Sequence, residues 1–232
     1  MLTTLVSGSS RGLGSVVVSK LRDSGHQVFT NSRHSLVPKD SRHLIFDCSD
    51  RERVTYELSK LQEFSQLDNL VCVVGTGSIR ESDSDKQWHM NFRENFYAAV
   101  TLFEVAMGLF PNIRNVIFVS SVAGSKIVQD PPIEYSVAKS ALNFYAKHMA
   151  LKYAPQGTLI NVISPGNIMH DNSVWKKRIE DSPHETLEYI KKVVPIGSLI
   201  NVDSIATLVD YFLNQNTNIT GQIIGIDGGQ SI

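Results

Sequence analysis

The chain has 232 residues, 42% of them hydrophobic and 19% charged, and a formal net charge of −1. That length suits one large α/β domain with an ordinary core. A near-neutral chain without a Lys/Arg block excludes nucleic acid or an anionic membrane as the main partner, although one or two local cations can still hold a small acidic ligand.

In chain order, short β-rich runs alternate with amphipathic stretches. Strands are expected at Thr3–Ser7, Gln27–Asn31, His43–Phe46, Asn69–Val74, Asn115–Ser120, Thr158–Ser164 and Gln222–Ile226. They are dense in Val, Ile, Leu and Phe rather than alternating, as strands covered on both faces are. Helices are expected at Leu13–Ser24, ended by Gly25, and at Arg51–Phe64, capped from Ser49-Asp50. Trp88–Leu109 and Tyr135–Ala154 are the longest helical patterns, and Asp203–Leu213 is the last. This alternation predicts a doubly wound, mostly parallel seven-stranded sheet with helices on both faces, formed by residues 1–232 as a single domain.

Residues 167–197 break the alternation and carry Trp175, the run Lys176-Lys177-Arg178 and a helix-like stretch Glu185–Val193. An insertion there lies outside the carboxyl ends of the strands, so it is read as a substrate lid, with a structural helical pair at the sheet edge as the alternative. No apolar run approaches the roughly 18 residues that span a bilayer, and the first residues lack a signal-peptide layout. Cys48 and Cys72 have no metal-ligand spacing and the histidines are scattered. Reduced thiols, no metal and a cytoplasmic location are therefore expected.

Directly after the first strand stands Ser7-Gly8-Ser9-Ser10-Arg11-Gly12-Leu13-Gly14. Glycines between a strand and a helix permit a tight turn and close backbone approach to a pyrophosphate, which the helix N-terminus then attracts. After the second strand, where an acid would accept from a ribose, stand Ser32 and Arg33; with Arg11 nearby, two guanidinium groups and no competing carboxylate suit a phosphate. Further on, Tyr135-Ser136-Val137-Ala138-Lys139 puts a phenol and an ammonium on one helix face. That cation, together with the positive nicotinamide of an oxidised cofactor, would favour the phenolate and lower the tyrosine below its ordinary pKa of about 10. A serine pair, Ser120-Ser121, closes the fifth strand at the ligand crevice.

The glycine loop, with Ser7 in place of a usual threonine, resembles the T-G-x-x-x-G-x-G motif of the short-chain dehydrogenase/reductase family, and Y-x-x-x-K stands where that family carries it. The resemblance runs from residue 3 to about residue 230. It implies a catalytic tetrad of Asn95, Ser121 (rather than Ser120), Tyr135 and Lys139, with Asn95 anchoring a relay water. It implies a cofactor site formed by Gly8, Ser10, Arg11, Gly12, Leu13, Gly14, Ser32, Arg33, Asp47, Cys48, Val74, Gly75, Tyr135, Lys139, Pro165, Gly166 and Ile168. Asp47 resembles the aspartate that contacts the adenine amine, and the Ser32-Arg33 pattern implies NADP(H) in preference to NAD(H). Asp227-Gly228-Gly229 matches the closing strand of the family.

Two positions depart from the pattern. Cys72-Val73-Val74-Gly75 replaces N-N-A-G, and His170 stands where the family often has a threonine; its imidazole is left between cofactor, substrate and solvent. The expected activity is hydride transfer between nicotinamide and a carbonyl or secondary alcohol, with a 3-oxoacyl thioester among the substrates. The run 176–178 either meets an acidic carrier or forms a solvated helix face. A catalytically weak or inactive NADP(H)-binding regulator or scaffold of the same fold is the alternative. Family resemblance further implies a homodimer or homotetramer.

Overall fold

A computed structural model describes residues 1–34, 42–64 (Phe64 in its backbone only), 66–77, 79–128, 130–170 and 173–232. The strands are β1 (Thr3–Ser7), β2 (Gln27–Ser32), β3 (His43–Ile45), β4 (Asn69–Cys72), β5 (Asn115–Val119), β6 (Leu159–Pro165), β7 (Ile168–Met169), β8 (Ile200–Asn201) and β9 (Ile223–Ile226). The α-helices are α1 (Gly12–Asp23), α2 (Arg51–Phe64), α3 (Ser84–Phe92), α4 (Ala98–Leu109), α5 (Ile133–Tyr153), α6 (Val174–Asp181), α7 (Pro183–Val193) and α8 (Val202–Asn214).

Seven strands form one sheet in the order β3-β2-β1-β4-β5-β6-β9. Every pairing in it is parallel, so the sheet is wholly rather than mostly parallel. Successive side chains of a strand point to opposite faces, and the core divides accordingly. Leu5, Leu70, Val116 and Phe118 pack with Leu58, Phe103 and Leu142 from α2, α4 and α5. Their neighbours Val6, Val71 and Ile117 pack with Val17, Leu21, Val209 and Phe212 from α1 and α8 on the other face. Both faces are therefore covered, which is why these strands read as continuous apolar runs. The chain turns back on itself between β1 and β4, and the crevice at their carboxyl ends is where such sheets take ligands.

Local chemistry sets the helix ends. Gly25, at φ 84°, lets its own N–H and that of His26 reach Arg22 O and Leu21 O, closing α1. Asp50 caps α2 by accepting from the Arg53 N–H at 3.0 Å.

Several expected bounds shift, among them β4, which ends at Cys72, and α5, which begins at Ile133. The helical pattern 88–109 begins earlier, at Ser84 behind the Asp83 cap, and is interrupted by a π turn over Arg93–Tyr97. A π turn carries one extra residue per turn and rotates the helix beyond it; such turns recur at functional sites. The strand expected at 158 starts at Leu159 and runs through Pro165. The segment 167–197 holds two helices, α6 and α7, and is pinned at its base by a separate ladder in which Ile168 pairs with Ile200 and Met169 with Asn201. Positions 171 and 172 of that segment lie outside the described residues. Among the described residues, no helix is long and apolar enough to cross a membrane.

Candidate active site

A cleft of about 1390 Å³ opens along the carboxyl ends of the strands. Its floor at one end is the glycine loop. A Cβ on Gly14 would stand 2.2 Å from Gly8 O, and one on Gly8 would meet Val73 C and the Val74 backbone at 3.1 Å. The turn thus packs backbone against backbone, and the β4 loop still seats against it although its asparagines are gone. No side chain caps α1. Its first-turn N–H groups, at Gly12, Leu13 and Gly14 in the cleft wall, are left for an anion. The residues therefore fit a dinucleotide pyrophosphate. Over this loop lies His170, whose Cε1 would be 3.2 Å from a Cβ on Gly12.

Deeper in the cleft, β5 delivers Ser120 and Ser121, which divide the work. Buried Ser120 donates to Lys139 O at 3.3 Å and so belongs to the scaffold. Ser121 accepts from the Ala123 N–H at 3.2 Å and is hydrogen-bonded to the phenol of Tyr135. Burial pushes the Tyr135 phenol above its ordinary pKa and the Ser121 bond only partly offsets this. Lys139 Nζ lies 5.9 Å from the centre of the tyrosine ring and donates to Val119 O at 3.3 Å. In the nucleotide-free arrangement burial thus sets the direction for the phenol, with Ser121 as the opposing partner.

The same burial lowers Lys139 to about 8. Asn95 stands behind Gly75 rather than in the cleft wall. A Cβ on Gly75 would be 3.0 Å from Asn95 Oδ1 and 3.3 Å from Lys139 Nζ, so both polar atoms converge over the bare α-carbon. Asn95 Nδ2 donates to Gly77 O at 3.1 Å, while its fully buried Oδ1 has no partner among the described residues. A buried acceptor without a partner costs about 1–3 kcal/mol, which a bound water or ligand hydroxyl at this point relieves.

Lys139 has a consequence for stability. Between its folded value near 8 and the ordinary 10.5, the unfolded chain binds a proton that the folded chain does not. Stability therefore rises with pH through that window, and the penalty is fully present below pH 8. Lys139→Met is expected to stabilise the nucleotide-free protein at pH 7 by on the order of 2 kcal/mol, allowing for the lost Val119 bond, and to flatten the alkaline rise. Urea denaturation at pH 7 and pH 9.5 reads both effects; a variant no more stable than the parent at pH 7 contradicts the argument.

The family model described as enoyl-(acyl carrier protein) reductase matches residues 8–231. The chain belongs to the short-chain dehydrogenase/reductase family. A tropinone reductase homolog of Arabidopsis thaliana is 28% identical over 257 residues, covering 99% of this chain and 92% of the relative. A 3-oxoacyl-(acyl-carrier-protein) reductase, FabG, of Rickettsia conorii is 25% identical, covering 98% and 95%. Among solved structures, a Pseudomonas aeruginosa RhlG/NADP active-site complex superposes with a TM-score of 0.85 at 25% identity, covering 100% of this chain and 96% of that one.

As a short-chain dehydrogenase/reductase, the protein places most of the residues singled out in its sequence on this one cleft. Gly8, Ser10, Arg11, Gly12, Leu13, Gly14, Ser32, Arg33, Asp47, Cys48, Val74, Gly75, Gly166 and Ile168 line it, together with Ser121, Tyr135 and Lys139. Pro165 does not; it closes β6 inside the sheet, and Gly166 and Asn167 take the wall instead. Burial pushes the Asp47 carboxyl up, but bonds from the Ser49 N–H and hydroxyl and the Arg93 guanidinium outweigh it and hold the carboxyl below its ordinary range. Buried Cys48 donates its thiol to Asn31 Oδ1 at 3.1 Å, and burial raises the pKa of both cysteines, so neither is a reactive thiolate.

Two contacts at the adenosine end were not read from the sequence. Ser32 Oγ donates to His34 O at 2.5 Å and contacts His43 Nε2 at 3.0 Å, so its hydroxyl already has partners. Arg33 does have a competing carboxylate: Glu94 Oε2 accepts from its Nη1 at 3.2 Å. Sequence reasoning missed Glu94 because it sits 61 residues away on the π turn. It also missed Asp130, whose carboxylate takes both Arg178 at 3.2 Å and the Tyr189 hydroxyl at 3.0 Å, joining α6 and α7 to the opposite lip of the cleft. Arg178 lies 4.9 Å over the ring of Trp175, which stacks on Tyr189 at 5.8 Å. The last residue of the basic run is thus committed to this cluster.

Proposed function

We propose that the protein is an NADP(H)-dependent carbonyl reductase, or the reverse alcohol dehydrogenase, with Asn95, Ser121, Tyr135 and Lys139 as its working residues. The observation that carries this is the convergence of a protonated Tyr135 phenol, bonded by Ser121, with Lys139 Nζ and the unpartnered Asn95 Oδ1 at the head of one cleft. The nicotinamide supplies or removes the hydride when bound. Tyr135 gives its proton to the substrate oxygen in reduction and takes it back in oxidation. Ser121, rigid at the end of β5, orients that oxygen by hydrogen bonding. Lys139 holds a ribose hydroxyl, and Asn95 Oδ1 anchors the water through which the phenol regains its proton.

NADP(H) is supported by Arg11 and Arg33 at the adenosine end and by the bound NADP of RhlG. A 3-oxoacyl thioester is supported as one substrate class by the FabG relative. Oxidation of NADPH, followed by its absorbance across ketones and acyl thioesters, tests the assignment; nucleotide binding without turnover on every substrate defeats it. Residues 1–232 act in this reading as one catalytic domain, and copies pair through α5, which exposes Val137, Phe144 and Leu151 at seven-residue spacing. Light scattering at working concentrations reads the pairing.

The helices α6 and α7 serve as the substrate lid in this proposal, with Asp130 as its latch. An exposed ion pair contributes up to about 1 kcal/mol. Asp130→Ala, which also removes the Tyr189 bond, is therefore expected to raise KM by about fivefold with little change in kcat. Limited proteolysis should cut the variant faster between 174 and 193. An unchanged KM removes the latch.

A further inference from the structure

We infer that Glu94 is a specificity-determining residue for the nucleotide: it restrains Arg33 and supplies, from the π turn, the ribose-facing carboxylate that is absent after β2. The inference rests on the proposed nicotinamide site and concerns only its adenosine end.

Four charged side chains form a chain there. Arg33 Nη1 is 3.2 Å from Glu94 Oε2, and Glu94 Oε1 is 3.9 Å from Arg93 Nη1. Arg93 Nη2 in turn is 2.7 Å from Asp47 Oδ2. Two cations and two carboxylates alternate, and the cluster is formally neutral. The Glu94 side chain is only 12% exposed, whereas Arg33 is 48% exposed. Glu94 is thus the more buried member and Arg33 the solvent-exposed one. Both line the cleft, as does Asp47.

A 2′-phosphate carries a charge of about −1.5 to −2. To grip it, Arg33 must loosen its bond to Glu94, and the carboxylate is then left facing the phosphate. Arg93 can take over part of that charge but is itself held by Asp47. A plain ribose meets the opposite situation, since its hydroxyls donate to a carboxylate and leave the Arg33 pair intact. Glu94 therefore narrows the advantage of NADPH over NADH that Arg33 and Arg11 alone would create. Asp47 does not share this role, because the Ser49 N–H, the Ser49 hydroxyl and Arg93 already occupy its oxygens.

Equilibrium binding of NADPH, NADH, 2′,5′-ADP and 5′-ADP, read by calorimetry without any turnover, tests this in wild type, Glu94→Gln and Glu94→Asp. Glu94→Gln is expected to tighten NADPH and 2′,5′-ADP by about fivefold to tenfold and to leave NADH equal or weaker. Glu94→Asp, which keeps the charge but draws it back from Arg33, should fall between. Adding Arg33→Gln to Glu94→Gln should remove the gain. A common shift of all four ligands, or an NADPH:NADH ratio within about twofold of wild type, overturns the inference and leaves the proposed site standing. A wild type that binds neither dinucleotide overturns both.

Discussion

Tyr135→Phe lowers kcat by about 10²–10⁴-fold and leaves nucleotide affinity unchanged. Phenylalanine fills the same half-buried space on α5, so the ring packing survives while the phenolic proton is removed. Ser121 still caps its 3-10 turn through the Ala123 N–H, and Lys139 keeps Val119 O. The lost Ser121 bond contributes about 0.5–1.5 kcal/mol to stability, too little to unfold the chain. Steady-state turnover on any ketone accepted by the parent, paired with nucleotide binding by tryptophan fluorescence, separates the two effects. Near-normal turnover would falsify the proton-donor role, and loss of nucleotide binding would show that the phenol mainly holds the cofactor.

Gly14→Ala is the second large effect. The new methyl would stand 2.2 Å from Gly8 O and 2.9 Å from Gly8 C and Ser9 Cα, all of them backbone atoms that cannot swing aside. Relief means opening the turn between β1 and α1, which costs about 1–3 kcal/mol and lowers Tm by about 3–10 °C for a chain of this size. The opened turn also misdirects the α1 N–H groups, so nucleotide affinity is expected to fall by about a hundredfold or more, roughly the loss of two charge-assisted hydrogen bonds. Gly108→Ala is the control. It lies in α4 with no atom within 4 Å of the added carbon, and helix propensity predicts a gain of about 0.5–1 kcal/mol. Equal losses in the two variants would show that a generic intolerance of alanine, not the turn, is being read.

What the sequence disclosed was local. A glycine loop between a strand and a helix, or a tyrosine and lysine four apart, fixes its geometry within one or two turns of chain. Both appear in the structure on the cleft where such spacing puts them. The continuous apolar strands likewise foretold a sheet covered on both sides, because each strand carries its own record of burial. What stayed hidden was contact between distant segments. Arg33 read as an unopposed cation because its partner, Glu94, arrives from the π turn, and nothing in a helical pattern marks where a turn widens. Asp130 carried no signal of its own in the sequence, yet it receives groups from α6 and α7, 48 and 59 residues on. The burial of Tyr135 was hidden for a related reason: spacing shows that a lysine is near but not how deeply the phenol sits.

The two-residue ladder between β7 and β8 gives the fold a modular character. Beyond the main sheet the excursion is bracketed by Ile168 and Ile200, and the Ile200 N–H also bonds Asn167 O at 2.8 Å. The ends of the intervening stretch are thus held together independently of what lies between them. Closing a longer or shorter excursion across fixed ends changes the chain entropy only slowly with length, about 0.6 kcal/mol per doubling. A replacement stretch of different length would still have to supply the contacts this one makes, His170 over Gly12 and Arg178 and Tyr189 on Asp130. The ladder thus fixes where the excursion begins and ends, while its length can change at small entropic cost.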